Sequence, residues 1–190
     1  MNDYQLRLEL KRKVLARHAK DPNTRIVEEL GIRHGSARVD IAVVNGLIHG
    51  YELKSDKDNL KRLAHQIIIY NSVLDKITLV TGHRHANGAI NLVPAWWGIK
   101  IAKLTSRGHL EFENHRRAQR NPSVDPLSVC KLLWRDEALT LLDELGEAEG
   151  VRHKPRALVY SRLSQVADLG NLQERVRRQL KSRTNWRFVE

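Results

Sequence analysis

The chain of 190 residues is poor in cysteine, methionine and phenylalanine, and it has no long apolar run. Cys130 is its only cysteine, so an internal disulfide is excluded, which fits a reducing compartment. No apolar stretch approaches the roughly 18 residues of a membrane-spanning helix, and the first residues contain no apolar signal core. No Gly-x4-Gly-Lys-Ser/Thr motif is present, which argues against an intrinsic P-loop ATPase. We therefore expect a cytoplasmic protein with no membrane partner.

Positive charge, in contrast, is abundant and unevenly distributed. The chain has 33 Lys and Arg against 22 Asp and Glu, which gives a net charge of +11. Residues 151–190 contain ten basic and three acidic side chains, and residues 1–20 contain six and two. This distribution predicts a polyanionic partner whose binding weakens as salt rises. A solvated basic surface is the alternative interpretation.

Two short segments in the first third of the chain are predicted to form a β-hairpin. They are Arg38–Val44 and Gly50–Ser55, and Asn45-Gly46 between them predicts a two-residue turn. Because side chains alternate faces along a strand, the hairpin fixes which polar groups lie together.

The polar groups of this hairpin are the candidate catalytic residues. Glu52 and Lys54 are predicted to share one face of the second strand, with Asp40 on the neighbouring strand. Two carboxylates and an ammonium group are costly to bury without a role. Binding a divalent cation for phosphodiester hydrolysis would be such a role. The alternative is an ordinary surface ion pair.

A helix is predicted from Asn59 to Leu74, because apolar residues recur at offsets of three, four and seven. Arg62, Gln66 and Tyr70 are each four residues apart and form a second stripe beside the apolar one. This stripe predicts a polar ledge next to the hairpin carboxylates that can hold a phosphate or nucleotide.

In this order, Asp40, Glu52-Leu53-Lys54 and Gln66–Tyr70 resemble the signature of the PD-(D/E)xK nuclease superfamily. The Gln-x3-Tyr spacing is that of its RecB-like branch, and the whole pattern is most similar to a small uncharacterised bacterial family of that superfamily. The resemblance covers residues 24–104, with Val39 where the motif name has proline. The matching segments are Arg38–Ala42, Gly50–Ser55, Arg62–Tyr70 and Trp96-Trp97-Gly98.

The resemblance implies a divalent-metal-dependent nuclease that hydrolyses DNA in repair, recombination, mobile-element biology or defence, with RNA left open as a substrate. The alternative is a catalytically weak nucleic-acid-binding module with the same fold. Asp40, Glu52 and the carbonyl group of Leu53 would bind Mg²⁺ or Mn²⁺. Lys54 would hold or activate the attacking water and offset charge on the phosphate.

The resemblance also implies three further roles. Gln66 and Tyr70 would contact the nucleic-acid strand or the reacting water. A third metal-binding acid is expected on a helix before the first strand, where Glu29 is favoured and Glu28 is the alternative. Arg62 would contact nucleic acid.

The implied fold class is α/β, a restriction-endonuclease-like mixed sheet flanked by helices, with a C-terminal helical appendage. The predicted helices before the hairpin span residues 3–18 and 21–31. The predicted domains are a nuclease-like core over 1–108, a linker or loop over 109–125, and a basic helical module over 126–190. A buried stripe in the last helix leaves Arg175, Arg178 and Lys181 outward, where they would guide DNA. A homodimer or partner-docking module is the alternative.

Overall fold

The computed structural model describes residues 1–184, which form an α/β fold around one mixed sheet. The sheet order follows the chain order, from β1 to β6. The strands are β1 (Arg25–Ile32), β2 (Ala37–Val44), β3 (Ile48–Lys54), β4 (Lys76–Gly82), β5 (Gly98–Leu104) and β6 (Leu110–Arg116). Strands β3, β4 and β5 are parallel, and the other neighbouring pairs are antiparallel. The predicted mixed sheet flanked by helices, with a C-terminal helical part, is confirmed.

Helices cover both faces of this sheet. They are α1 (Asp3–Lys13), α2 (Ala16–Ala19), α3 (Leu63–Asn71), α4 (His83–Leu92), α5 (Pro126–Cys130), α6 (Arg135–Glu144), α7 (Arg156–Val166) and α8 (Leu169–Ser182). On one face, Leu6 and Leu10 of α1 pack with Tyr51 and Leu53 of β3. Helices α3 to α8 contribute to the apolar cluster of the other face. No helix within residues 1–184 has the length and apolar character needed to cross a membrane.

The C-terminal helices share their core with the sheet. Val129, Tyr160 and Leu172 lie in the same apolar cluster as Val39 and Leu79 of the sheet. Residues of α8 that were predicted to form a buried stripe are indeed buried. The division at residues 108 and 126 stays a prediction, and the last six residues of the predicted C-terminal module lie outside the described residues.

The predicted helix over residues 21–31 is wrong, because this segment forms a turn and then strand β1. Asp21 accepts hydrogen bonds from the amide of Asn23 and the hydroxyl of Thr24. Side chains that cap helices also close turns, and here the turn leads into a strand. Val27 and Ile32 of this strand then fill the core beside β2.

Part of the predicted linker over residues 109–125 is also a strand, since Leu110–Arg116 forms β6. Only Leu110 is buried in this strand, and the other side chains are half-buried or exposed. An edge strand of this kind carries no apolar alternation, so its sequence resembles a loop.

Smaller corrections concern the ends of elements. The hairpin turn has three residues, Asn45, Gly46 and Leu47, because the ladder closes at Val44 and Ile48. The first helix ends at Lys13. The single helix predicted from Pro126 to Gly146 is divided into α5 and α6, and the helix predicted over residues 59–74 is shorter at both ends.

Candidate active site

Strand β3 carries the centre of a hydrogen-bonded cluster. Glu52 and Lys54 project from the same face, as predicted, and Lys54 Nζ lies 2.6 Å from Glu52 Oε1. Both side chains are buried, with 2% and 5% of the residue exposed. A buried charged pair needs further hydrogen bonds to offset its lost hydration, and helix α3 supplies them.

Helix α3 places Gln66 and Tyr70 over Glu52. Gln66 Nε2 donates to Glu52 Oε1 at 2.8 Å, and Lys54 Nζ donates to Gln66 Oε1 at 3.2 Å. The Tyr70 hydroxyl lies 2.8 Å from Glu52 Oε2 and 2.5 Å from the carbonyl oxygen of Arg38, so its single proton is shared between two acceptors. Burial, followed by the charge of Glu52, raises the pKa of Tyr70 and keeps it protonated. The predicted polar ledge is therefore joined directly to Glu52.

Asp40 lies where strands β2 and β3 stop pairing. The ladder between them ends at Ile41 and Tyr51, and beyond it the Leu53 amide donates to Asp40 Oδ2 at 2.7 Å. Burial, and then the negative charge of Glu52, raises the pKa of Asp40 to about 7. A carboxyl group whose ionisation is disfavoured by burial and by a second carboxylate is typical of a site that binds a cation or moves protons.

Arg7 of α1 contacts Asp40, and sequence reasoning missed it. Its guanidinium donates to Asp40 Oδ1 and to the Asp40 carbonyl oxygen, each at 3.0 Å. It also donates to Glu29 Oε1 at 2.9 Å. Asp40 and Arg7 are 33 residues apart, and no local sequence pattern predicts a contact over that separation.

Glu29 lies on strand β1, not on a helix. Its φ of 53° is left-handed, which is uncommon for a residue with a β-carbon. Its side chain is 48% exposed and pairs with Arg7. Glu28, the alternative third acid, pairs with Lys11, and its Oε2 also lies 3.6 Å from Arg7 Nη1. Both acids are thus engaged by cations of α1.

An open pocket of about 550 Å³ lies above this cluster. Its lining brings together seven of the predicted site residues: Glu29, Asp40, Glu52, Leu53, Lys54, Arg62 and Gln66. Arg38, which was not predicted as a site residue, also lines it, and so does His65, whose position beside Gln66 left open both a place near the site and an ordinary exposed helix position. Within residues 1–184, no set of three or more His, Cys, Asp or Glu side chains is arranged to hold a metal ion.

The three α8 residues predicted to guide DNA, Arg175, Arg178 and Lys181, lie away from the pocket. Arg177 of α8 pairs with Asp75, which contacts Ile48 at the start of β3. Lys54 is at the other end of that strand, roughly 20 Å away at about 3.3 Å per residue. The three cations are outside the pocket lining and have intramolecular partners: Arg175 pairs with Glu144, Arg178 with Glu174, and Lys181 donates to the Asn23 carbonyl oxygen.

Comparison with known proteins identifies the family. The family model described as Bacteriophage P4 protein cII matches residues 3–190. The chain belongs to this family. Protein cII of Enterobacteria phage P4 is 29% identical over 132 residues, which cover 64% of the chain and 46% of that relative. The chain thus spans about half the length of the curated relative it matches.

Among solved structures, this cII family member is similar to the SPO1766 protein of unknown function from Silicibacter pomeroyi. The two are 22% identical with a TM-score of 0.41, and the match covers 74% of this chain and 92% of that one.

The raised pKa of Asp40 predicts that the metal-free protein is more stable against unfolding at acidic pH than at alkaline pH. Between the ordinary pKa of 3.8 and about 7, the folded protein binds a proton that the unfolded chain lacks. Stability from this group is therefore present at low pH and lost as pH rises towards 7. From pH 8 to pH 5.5 we expect a gain of about 2 kcal/mol, or about 4–8 °C in Tm.

The measurement is thermal unfolding in chelator, compared with Asp40→Asn at each pH. The variant lacks the titrating group, so the difference between the two melting temperatures isolates Asp40. A difference that stays constant between pH 8 and pH 5.5 would show that Asp40 titrates normally.

Proposed function

We propose that this chain is a divalent-metal-dependent nuclease that hydrolyses DNA phosphodiester bonds, with the fold and site of the PD-(D/E)xK superfamily. The observation that carries the proposal is the convergence of Asp40, Glu52 and Lys54 at the base of an open pocket, with Gln66 and Tyr70 bonded to Glu52. A binding module has no need for this buried, mutually repelling pair of carboxyl groups.

The donor set fits Mg²⁺ or Mn²⁺. Mg²⁺ keeps several waters and binds through one or two carboxylates plus substrate phosphates, so Asp40 and Glu52, with the Leu53 carbonyl group, would suffice without a third acid. A bound cation would offset the burial and mutual repulsion that disfavour the charge of Asp40 beside Glu52. Glu29 would join the set only after leaving Arg7.

Each residue would have a distinct task in hydrolysis, in which a water oxygen bonds to phosphorus and a sugar oxygen leaves. The ion would neutralise charge on the phosphate and assist ionisation of the water. Lys54, whose ammonium group donates to Glu52 and Gln66, would use its remaining donor to orient the water and offset charge on the phosphate. Gln66 and Tyr70 hold Glu52 in place through their hydrogen bonds, and Arg7 does the same for Asp40.

The biological context that we propose is mobile-element biology, since a related protein belongs to a bacteriophage. The net charge of +11 supports a polyanionic substrate.

The test is incubation of the purified protein with plasmid and single-stranded DNA in Mg²⁺, in Mn²⁺ and in chelator. We expect strand cleavage with either metal and none in chelator. A matched RNA substrate establishes the preferred nucleic acid. DNA binding with no cleavage under either metal would favour the alternative, a binding module with the same fold, and failure to bind would reject both.

A further inference from the structure

Two arginines of the pocket have side chains that no other described residue engages. The cationic side chains that line the pocket are Arg38, Lys54 and Arg62, with His65 beside them. Lys54 is committed to Glu52 and Gln66. Arg38 and Arg62 make no side-chain hydrogen bond or ion pair within residues 1–184.

This freedom distinguishes them from Arg7 and from two of the α8 arginines predicted to bind DNA. Arg7 is held between Asp40 and Glu29. Arg175 and Arg178 are each paired with a glutamate. An external anion would have to break those contacts, whereas it meets Arg38 and Arg62 unpaired.

The main chains of both arginines are fixed to the catalytic cluster. Arg38 precedes Asp40 by two residues on β2, and its carbonyl oxygen accepts the Tyr70 hydroxyl. Arg62 is the N-cap residue of α3, and its carbonyl oxygen accepts the amide of Gln66 at 3.0 Å. Each arginine therefore has an anchored backbone, and the two line the pocket from different elements, β2 and the start of α3.

An unpaired guanidinium at such a place suits a phosphate, because its planar fork donates two parallel hydrogen bonds to phosphate oxygens. The pocket volume of about 550 Å³ exceeds what one phosphate needs. Two guanidinium groups anchored on different elements around one cluster suit two different phosphates of the same nucleic-acid strand.

We propose, resting on the proposed function, that Arg38 and Arg62 bind the backbone phosphates on either side of the scissile phosphate. The substrate is accordingly a polynucleotide strand that continues in both directions from the cut. A substrate that ends at the cut would engage only one of the two arginines.

The first test measures binding without cleavage. A fluorescent 12-residue oligothymidylate is titrated in chelator over a salt series with the wild type, Arg38→Gln, Arg62→Gln, the double variant and Arg107→Gln. Arg107 is an exposed arginine outside the pocket lining, without a side-chain partner among the described residues, so it controls for loss of one charge.

We expect each pocket variant to weaken binding about tenfold, as for loss of a hydrogen bond to a charged group. The slope of log affinity against log salt should fall by about 0.7 per lost phosphate contact on a single strand. The double variant should lose about twice that slope, and Arg107→Gln almost none. Pocket variants that behave like Arg107→Gln would overturn the inference.

The second test locates the two contacts relative to the cut. Substrates carry one neutral methylphosphonate, placed on one or the other side of the mapped cleavage position. A methylphosphonate on either side should slow cleavage by the wild type. Cleavage by Arg38→Gln should be unaffected by the methylphosphonate on one side, and cleavage by Arg62→Gln by the methylphosphonate on the other side. Insensitivity on the same side for both variants would contradict the proposal.

The two proposals fail in different ways. Cleavage by the wild type with unaltered salt slopes in the variants rejects the phosphate contacts alone. Binding that depends on both arginines, without cleavage in any metal, rejects the nuclease and with it the placement around a cut. Because both side chains are exposed, unchanged melting temperatures will confirm that each variant is folded.

Discussion

Asp40→Asn is expected to reduce metal-dependent DNA cleavage by about a thousandfold or more. The amide keeps the shape of the side chain and can still accept from the Leu53 amide, but it loses the negative charge that would hold a cation. Charge stabilisation by a metal contributes several kcal/mol to the transition state, and each 1.36 kcal/mol corresponds to a factor of ten in rate.

The same substitution is expected to leave the metal-free protein folded, and above pH 7 to make it more stable. The reason is that Asp40 carries a charge that burial and Glu52 disfavour, so removing it relieves repulsion. Lost activity with gained stability is the pattern of a residue retained for function. Cleavage rates, Mn²⁺ titration by calorimetry and melting temperature give the three readouts.

Glu111→Gln is the matched control, since Glu111 is an exposed carboxylate of β6 outside the pocket lining. It should leave the cleavage rate and Mn²⁺ binding unchanged. Cleavage by Asp40→Asn at the wild-type rate would place the metal, or the activity, at another site.

Lys54→Met is expected to destabilise the metal-free protein by about 3–5 kcal/mol at pH 8. Lys54 is buried against Glu52, and removing one member of a buried ion pair leaves the other charge uncompensated. Denaturant unfolding in chelator measures the loss. Added Mg²⁺ should restore part of it, because the ion replaces the missing positive charge beside Glu52 and Asp40.

The double variant Glu52→Gln with Lys54→Met completes a cycle. Replacing both partners by neutral groups of similar size is often nearly neutral, so the double variant should recover more than half of the stability lost in Lys54→Met. A Lys54→Met variant as stable as the wild type would show that Glu52 is not held as a buried charge in solution.

The hydrogen-bonded cluster around Glu52 was predictable in part from local periodicity. Alternation along β3 predicted that Glu52 and Lys54 share a face, and the four-residue spacing of Gln66 and Tyr70 predicted a common stripe; the structure joins all four by hydrogen bonds. These two predictions agree with the structure because each depends on a single strand or helix, whose backbone geometry alone fixes which side chains share a face.

Contacts between distant elements had no such signal. The link from Arg7 to Asp40 crosses 33 residues, and the place of α8 at the far end of the sheet depends on packing that only the whole chain defines. Strand β1 was mistaken for a helix because Asp21 can cap a helix or close a turn. Local chemistry alone does not decide between the two.

The position of α1 has a practical consequence for work with this protein. Arg7 holds a carboxylate of the cluster, Asp3 of the same helix borders the pocket, and the amino group of Met1 lies 3.6 Å from Asp56. An affinity tag joined ahead of Met1 would lie within a few residues of Asp3, and its histidines would compete for the metal ion that we propose for the pocket. Purification handles on this protein should therefore be removable, and assays should begin only after their excision.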